Sequence, residues 1–460
     1  MEADLAPHFA RTGGDPVRDA FAARRAVLPW RGKRPLPAEE TAATWAGLLE
    51  EHRPAGPRLV YVHVPFCANH CLFCGFYRNA YTPQAASAYA DLVVAEIERE
   101  AAAPVVGRQQ VAAVYLGGGT PSALSANELA RILATLKRCL PLAPDCEITV
   151  EGRIIHFDAD KIDACLEAGA NRFSIGVQSF DTKVRRRQGR RAGKEEAIAF
   201  IERLRERAGG AAVVIDLLYG LPGQDEAVWR EDLNIAATVA PDGVDLYGLN
   251  LIPGTPLFTA VSAGKFPAMP ALAELGRMYR IGAEHLGAEG WEQISNSHWR
   301  RTKLERNVYN LRIKQGVDCL AYGSGAGGLI GRHSYALTPD LEAYAQGVRA
   351  GQKPLAGMRV ADGFQPLRNL VTAGLETGRL DLGGIEAAAP MPGVRATLAP
   401  LLEQWRSAGL VELAGDTVTL TLAGRFWYSN LVFAFDALLC AEPAPAFLSP
   451  PQQNEAKEQS

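Results

Sequence analysis

From residue 58 onward, short runs of β-branched and other apolar residues alternate with longer stretches in which apolar positions recur every three or four residues. An apolar run without alternation predicts a strand covered on both faces, and the 3.6-residue period predicts a helix lying on that sheet. Six such pairs succeed one another, with strands predicted over residues 59–64, 111–116, 147–150, 172–177, 213–218 and 244–249. Each run stops at glycine or polar residues. The helices carry their own start and stop signals. Ser125-Ala-Asn-Glu128 reads as a capping box ahead of Leu129, Ile132, Leu133 and Leu136, and Asp158 can cap a helix that stops at Gly169. Strand–helix alternation predicts an α/β fold with a parallel sheet wrapped by helices, and six units fall short of the eight that close a barrel. In such sheets the residues just past the strand ends share one face, so the motifs found there should converge on one site.

The pattern changes on either side of this core. Residues 1–57 form an arm containing Pro and Arg, residues 58–290 the core, and residues 291–363 a connecting region expected on the substrate side. Residues 364–449 show two helical stretches, then Val411-Glu-Leu, a turn at Gly415-Asp416, Thr417-Val-Thr-Leu420 and an apolar segment through Leu439, a winged-helix-like order. Residues 450–460 are polar and expected to be disordered. Of the 460 residues 48% are hydrophobic and 22% charged, which suits a globular protein with a large core. The net charge of −3 gives no general attraction to nucleic acid, and the C-terminal region is not basic, so no nucleic-acid partner is expected. No apolar run reaches membrane-spanning length and the N-terminus lacks a leader pattern, so a cytoplasmic location without membrane insertion is expected. Cys139, Cys146, Cys165, Cys319 and Cys440 are scattered singly, which fits reduced, buried thiols.

The other three cysteines stand together. Cys67, Cys71 and Cys74 share one loop directly after the first predicted strand, in the order C-x3-C-x2-C, with no fourth cysteine nearby. Three thiolates so placed can hold three irons of a 4Fe–4S cubane and leave the fourth iron open to a substrate. A zinc site closed by His63 or His70 is the alternative. Past the second strand, Gly117-Gly118-Gly119-Thr120-Pro121 can bring bare backbone amides close to a ligand or serve as a tight turn. Glu151, Gln178, Asp216 and Asn250 stand at the ends of later strands. Any one of them could be a cap; four in consecutive units point to a ligand.

Cys67-x3-Cys71-x2-Cys74 preceded by Tyr61, the Gly117 to Pro121 run, Gly176-Val-Gln178-Ser-Phe and Asp216-Leu-Leu-Tyr-Gly-Leu-Pro222-Gly together resemble the radical S-adenosylmethionine (SAM) enzymes. The resemblance is to the branch containing oxygen-independent coproporphyrinogen III dehydrogenase and the haem chaperones. It implies a partial (β/α)6 barrel whose cluster chelates SAM through the open iron and splits its sulfonium reductively to methionine and a 5′-deoxyadenosyl radical. Carried over by position, Tyr61, Gly118 and Glu151 would contact the cluster-bound SAM. Phe73, Gly119, Thr120, Gln178, Arg190, Asp216 and Asn250 would hold a second SAM molecule. The coproporphyrinogen enzyme has a further cysteine two positions after its last ligand, where this chain has Phe76, which argues against oxidative decarboxylation.

Three further stretches narrow the resemblance to the anaerobic haem-degrading radical SAM methyltransferases of bacterial haem utilisation. They are Asp15-Pro-Val-Arg-Asp-Ala-Phe-Ala with Pro29-Trp30-Arg-Gly, Asn296-Ser-His298-Trp299-Arg300-Arg301 with Arg306-Asn307-Val-Tyr309-Asn310, and Asp318 to Gly328. The implied reaction opens haem at a meso bridge without oxygen, delivers a SAM-derived methyl group, and releases iron and a linear tetrapyrrole, with electrons from a flavodoxin or a flavin reductase. A haem chaperone and a porphyrinogen oxidase are the competing readings. Haem propionates favour arginines, so Arg185, Arg186, Arg187, Arg190 and Arg191 form one candidate cluster and Arg300, Arg301 and Arg306 another. His298, and after it His333, is the candidate axial ligand of haem iron. Gly323 to Gly328 lacks the Lys-Ser or Lys-Thr of a nucleotide loop and fits either a flat ligand or a turn.

Overall fold

The computed structural model describes residues 4–440 apart from 108, 390 and 391. The polar tail expected at 450–460 lies outside the described residues. The six expected strands are β1 (Pro57–Val64), β2 (Gln110–Gly118), β3 (Leu142–Gly152), β4 (Arg172–Gln178), β5 (Ala212–Tyr219) and β6 (Gly243–Gly248). They pair side by side in chain order, all parallel. Helices α1 (Pro83–Glu100), α2 (Ala126–Cys139), α3 (Ala159–Glu167), α4 (Lys194–Ala208), α5 (Glu226–Val239) and α6 (Leu272–Ala288) follow them in turn. The expected caps are in place. Ser125 and Glu128 form a reciprocal capping box on α2, Asp158 accepts from the Lys161 amide at the start of α3, and Gly169 leaves that helix with φ +102°.

Beyond β6 the chain adds two short strands, β7 (Glu292–Gln293) and β8 (His298–Arg300), the latter antiparallel to β6. It then crosses beneath the sheet through α7 (Val308–Lys314) and returns as β9 (Cys319–Tyr322), a seventh parallel strand on the free edge of β1. Antiparallel strands β10 (Gly327–Ile330), β11 (His333–Leu337) and β12 (Leu355–Ala361) extend that edge, with Lys33–Pro35 of the arm outermost. The ends of the sheet do not meet, so it is a partial barrel and not a closed one.

The C-terminal region comprises α8 (Gln365–Thr377), β13 (Arg379–Asp381), α9 (Val394–Ser407), the hairpin β14 (Val411–Ala414) and β15 (Thr417–Leu420), and α10 (Tyr428–Leu439). The arm is tied to it. The indole N–H of Trp405 donates to the His8 carbonyl (2.9 Å), that of Trp427 to the Pro16 carbonyl (2.9 Å), and Asn430 bridges the Ala23 carbonyl and the Arg25 amide. Both indoles are fully buried, so each N–H needs such a partner. No helix among the described residues is long and apolar enough to cross a membrane.

Candidate active site

The residues past the C-terminal ends of the parallel strands surround a cavity of about 350 Å³. Cys67, Cys71 and Cys74 form one wall of it. The loop carrying them is pinned at several points. The Tyr81 amide donates to the Cys67 carbonyl (3.2 Å), the Leu72 amide to the Gln188 carbonyl (3.2 Å), and Gly189 comes so close to the His70 carbonyl that a Cβ there would lie 2.9 Å from it. Each thiol has a donor nearby: Thr120 Oγ1 is 3.3 Å from Cys67 Sγ, Arg153 Nη2 donates to Cys71 Sγ (3.2 Å), and the Phe76 amide donates to Cys74 Sγ (3.3 Å). Burial pushes the Cys67 thiol up, and the Thr120 hydroxyl and Arg153 work against that rise. Both histidines that could close a zinc shell are engaged. His63 Nδ1 meets the Tyr61 hydroxyl (3.0 Å), and the His70 ring stacks on Tyr77 with its Nε2 3.3 Å from the Cys74 carbonyl.

Beside Cys67 the glycine run lies flush against the backbone that leads into the cysteine loop. The Gly119 amide donates to the Val64 carbonyl (2.7 Å), and a Cβ on Gly119 would stand 2.7 Å from the Phe66 carbonyl. Glu151, at the end of β3, accepts from the Tyr115 hydroxyl (2.6 Å) and the Gly118 amide (3.2 Å). Burial raises its pKa, and those two donors oppose the rise. Asp216, on β5, is raised to about 7, first by burial and then by Asp245 and Glu151.

The end of β4 is bent to serve the cavity. The register slips between Gly176 and Gln178, and Gln178 takes φ +74°, a left-handed conformation that bulky residues avoid. This bulge folds the side chain back over Gly176, where a Cβ would lie 2.8 Å from Gln178 Nε2. Arg190 is buried beside it, donates to the Gly176 carbonyl and stacks over Phe73 at 5.8 Å, with its Nε unpartnered.

Three thiols, two half-buried carboxyls and a buried guanidinium with a free donor therefore face one another across a single cavity. That donor set fits an iron–sulfur cluster together with a ligand bearing a carboxylate, an ammonium and hydroxyl groups. Phe73, Gly118, Gly119, Thr120, Glu151, Gln178, Arg190, Asp216 and Asn250 all line the cavity with the cysteines. Tyr61 does not. Its ring packs against Tyr115 and Tyr309, which also touch each other, and its hydroxyl meets His63 Nδ1. Arg153, which the sequence reading missed, lines the cavity and holds both Cys71 and the Asn69 carbonyl (3.1 Å). Its signal was its place two positions beyond Glu151.

Residues 61–236 match the radical SAM superfamily. The chain is 48% identical over 446 residues to anaerobilin synthase of Escherichia coli O157:H7, an alignment that covers 97% of this chain and 98% of that protein. The chain belongs to the radical SAM superfamily. It is also 29% identical to oxygen-independent coproporphyrinogen III oxidase of Bradyrhizobium diazoefficiens, over 86% of this chain and 91% of that one. Among solved structures it resembles the radical SAM enzyme coproporphyrinogen III oxidase (HemN) of Escherichia coli, with a TM-score of 0.74 and 25% identity across 87% of this chain and 96% of that chain. Membership of the radical SAM superfamily implies a 4Fe–4S cluster and SAM, and the cavity supplies a wall for each.

The expected haem contacts fare differently. His298 is fully buried, with Nδ1 2.9 Å from Asp245 Oδ1 and Nε2 3.1 Å from Glu305 Oε1, and Arg172 Nε donates to the other oxygen of Glu305 (2.9 Å). The ring is closed off from solvent beside these carboxylates and does not line the cavity that holds the cysteines, so the structure does not place His298 where an axial ligand of haem iron was expected. Burial lowers its pKa, but Asp245 and Glu305 outweigh burial and raise it to about 9. Arg185 is buried and donates to the Val177, Ser179 and Ala192 carbonyls, Arg300 pairs with Glu292, Arg301 donates to the Pro241 carbonyl, and Arg306 pairs with Asp145. These four arginines hold loops and do not line the cavity. His333 stands half-buried on β11, paired with Val360 and away from the cysteines.

Proposed function

We propose that this chain opens the porphyrin ring of haem without oxygen, adds a SAM-derived methyl group, and releases iron and a linear tetrapyrrole. The observation that carries this reading is the end-to-end 48% identity to anaerobilin synthase. When bound, the cluster and SAM supply one-electron reducing chemistry and a methyl donor. Cys67, Cys71 and Cys74 would ligate three irons, and Arg153 would stabilise the charge on Cys71. Glu151, at its fixed distance from Gly118, would accept from the cluster-bound SAM. Gln178, Arg190, Asp216 and Asn250, with Phe73, Gly119 and Thr120, would position a second SAM molecule. A flavodoxin or a flavin reductase would deliver electrons at the exposed rim of the cysteine loop, where Phe76 is 69% exposed. Phe76 has no thiol or titratable group, which disfavours porphyrinogen oxidation. The haem chaperone of Bacillus subtilis matches only 59% of this chain, at 29% identity, so that alternative has less support.

The test is anaerobic incubation of the iron-loaded protein with haem, SAM and a strong reductant. Bleaching of the Soret band with a product heavier by one methyl group is expected. Unchanged haem absorbance and mass would overturn the proposal.

A further inference from the structure

A second cavity of about 460 Å³ adjoins the first, and Tyr247, Gly248 and Asn250 line both. Its far side is built by the arm and the C-terminal region, through Arg24, Glu376, Arg425, Phe426 and Tyr428. Two of these residues are cations without an acidic partner. Among the described residues neither Arg24 nor Arg425 has a carboxylate within ion-pair distance. Arg24 lies over the Phe426 ring at 4.8 Å, and Arg425 makes only long bonds to neutral oxygens, Asn296 Oδ1 (3.4 Å) and the Thr377 carbonyl (3.3 Å). The Arg425 guanidinium lies flat on Gly378, whose φ of +80° and missing side chain leave room for it. A third group points the same way: Glu376 is 8% exposed, lines the cavity, and its Oε2 has no hydrogen-bond partner. Its nearest cation, Lys314, is 3.9 Å away. Burial raises the Glu376 pKa, and Lys314 and Arg425 oppose the rise.

Unpaired guanidiniums on aromatic walls suit a flat apolar ligand with anionic substituents on one edge. We infer that this second cavity is the haem subsite, in which Arg24 and Arg425 each take one propionate while the opposite edge faces the shared wall at Asn250. This assignment rests on the proposed function. It replaces the arginine clusters around Arg185 and His298 with two residues far apart in sequence that the fold brings together.

The decisive experiment is anaerobic absorbance titration of the full chain with haem and with haem dimethyl ester, whose propionates carry no charge. The wild-type protein is expected to bind haem at least tenfold more tightly than the ester, one charge-assisted contact being worth roughly tenfold or more. In Arg24→Gln and Arg425→Gln the haem affinity should fall toward that of the ester, while ester affinity stays within about twofold of wild type. Equal wild-type affinities for haem and ester, or undiminished haem binding in both variants, would overturn the subsite and leave the proposed reaction standing. Failure of the wild-type protein to bind either compound would overturn both.

Discussion

His298 offers a quantitative check on how the base of the barrel is held. It joins β8 to β6 through Asp245 and, through Glu305, reaches Arg172 on β4, all out of solvent. Its folded pKa is raised from the ordinary 6.5 to about 9, so folding is favoured by binding a proton to this ring. The stabilisation is therefore complete below pH 6.5 and is lost as pH rises through about 9. A rise of that size corresponds to about 3 kcal/mol, lost at about 1.4 kcal/mol per pH unit within the window. Asp216 and Glu100 also have raised pKa values, but their effects are finished by about 7, and the buried thiols of Cys146, Cys165, Cys319 and Cys440 contribute only as pH nears 9, so the window between about 7 and 8.5 belongs to His298. The perturbation is His298→Gln, which keeps a polar side chain and removes the titration. Urea unfolding under anaerobic, reducing conditions, followed by tryptophan fluorescence, should show wild-type stability falling across that window and the variant's nearly level there. The variant should also be less stable at pH 7 by about 3–5 kcal/mol, the usual cost of breaking a buried charge network. Parallel pH curves for the two proteins would refute the argument.

Other substitutions test the upper face. Cys71→Ala should lower bound iron and abolish turnover while leaving the far-ultraviolet circular dichroism unchanged, because the sheet does not pack through that loop; global unfolding would contradict this. Gly119→Ala drives a methyl group against the Phe66 and Val64 carbonyls and should weaken SAM binding by about 1–3 kcal/mol in equilibrium dialysis, with wild-type affinity as the contrary result. Arg153→Gln removes a cationic donor to Cys71 and should shift the cluster's reduction potential to more negative values in an anaerobic titration monitored by electron paramagnetic resonance; an unmoved potential would count against the contact. Since Asp216 ionises only as pH rises through about 7, SAM affinity should increase by roughly tenfold from pH 6 to 8 and be flat in Asp216→Asn.

The parallel core was legible because strands covered on both faces must be nearly continuous apolar runs. Five of the six begin and end within a few residues of their expected positions; β3 starts earlier, at Leu142, because its first four residues, Leu-Ala-Pro-Asp, are half-buried or exposed and do not continue the apolar run. β9 went unseen because its four residues carry no periodic signal and its partner β1 lies at the other end of the core sequence. The cysteine loop and glycine run were readable since their chemistry is local. Arg24 and Arg425 were not: a surface cation and a cavity cation look alike until the fold places them on a common wall. His298 misled for the converse reason, because a histidine among arginines gives no sign that the fold will bury it between Asp245 and Glu305.

The indole bonds from Trp405 and Trp427 to the arm have a consequence for biosynthesis. A ribosome extends the chain at roughly 5–20 residues per second, so the first segment made waits tens of seconds for the last before it can dock. Until translation ends, Arg24 has no Phe426 to lie on, and a nascent or truncated chain lacks a complete pocket. With haem bound in the proposed subsite, substrate capture would be reserved for full-length molecules.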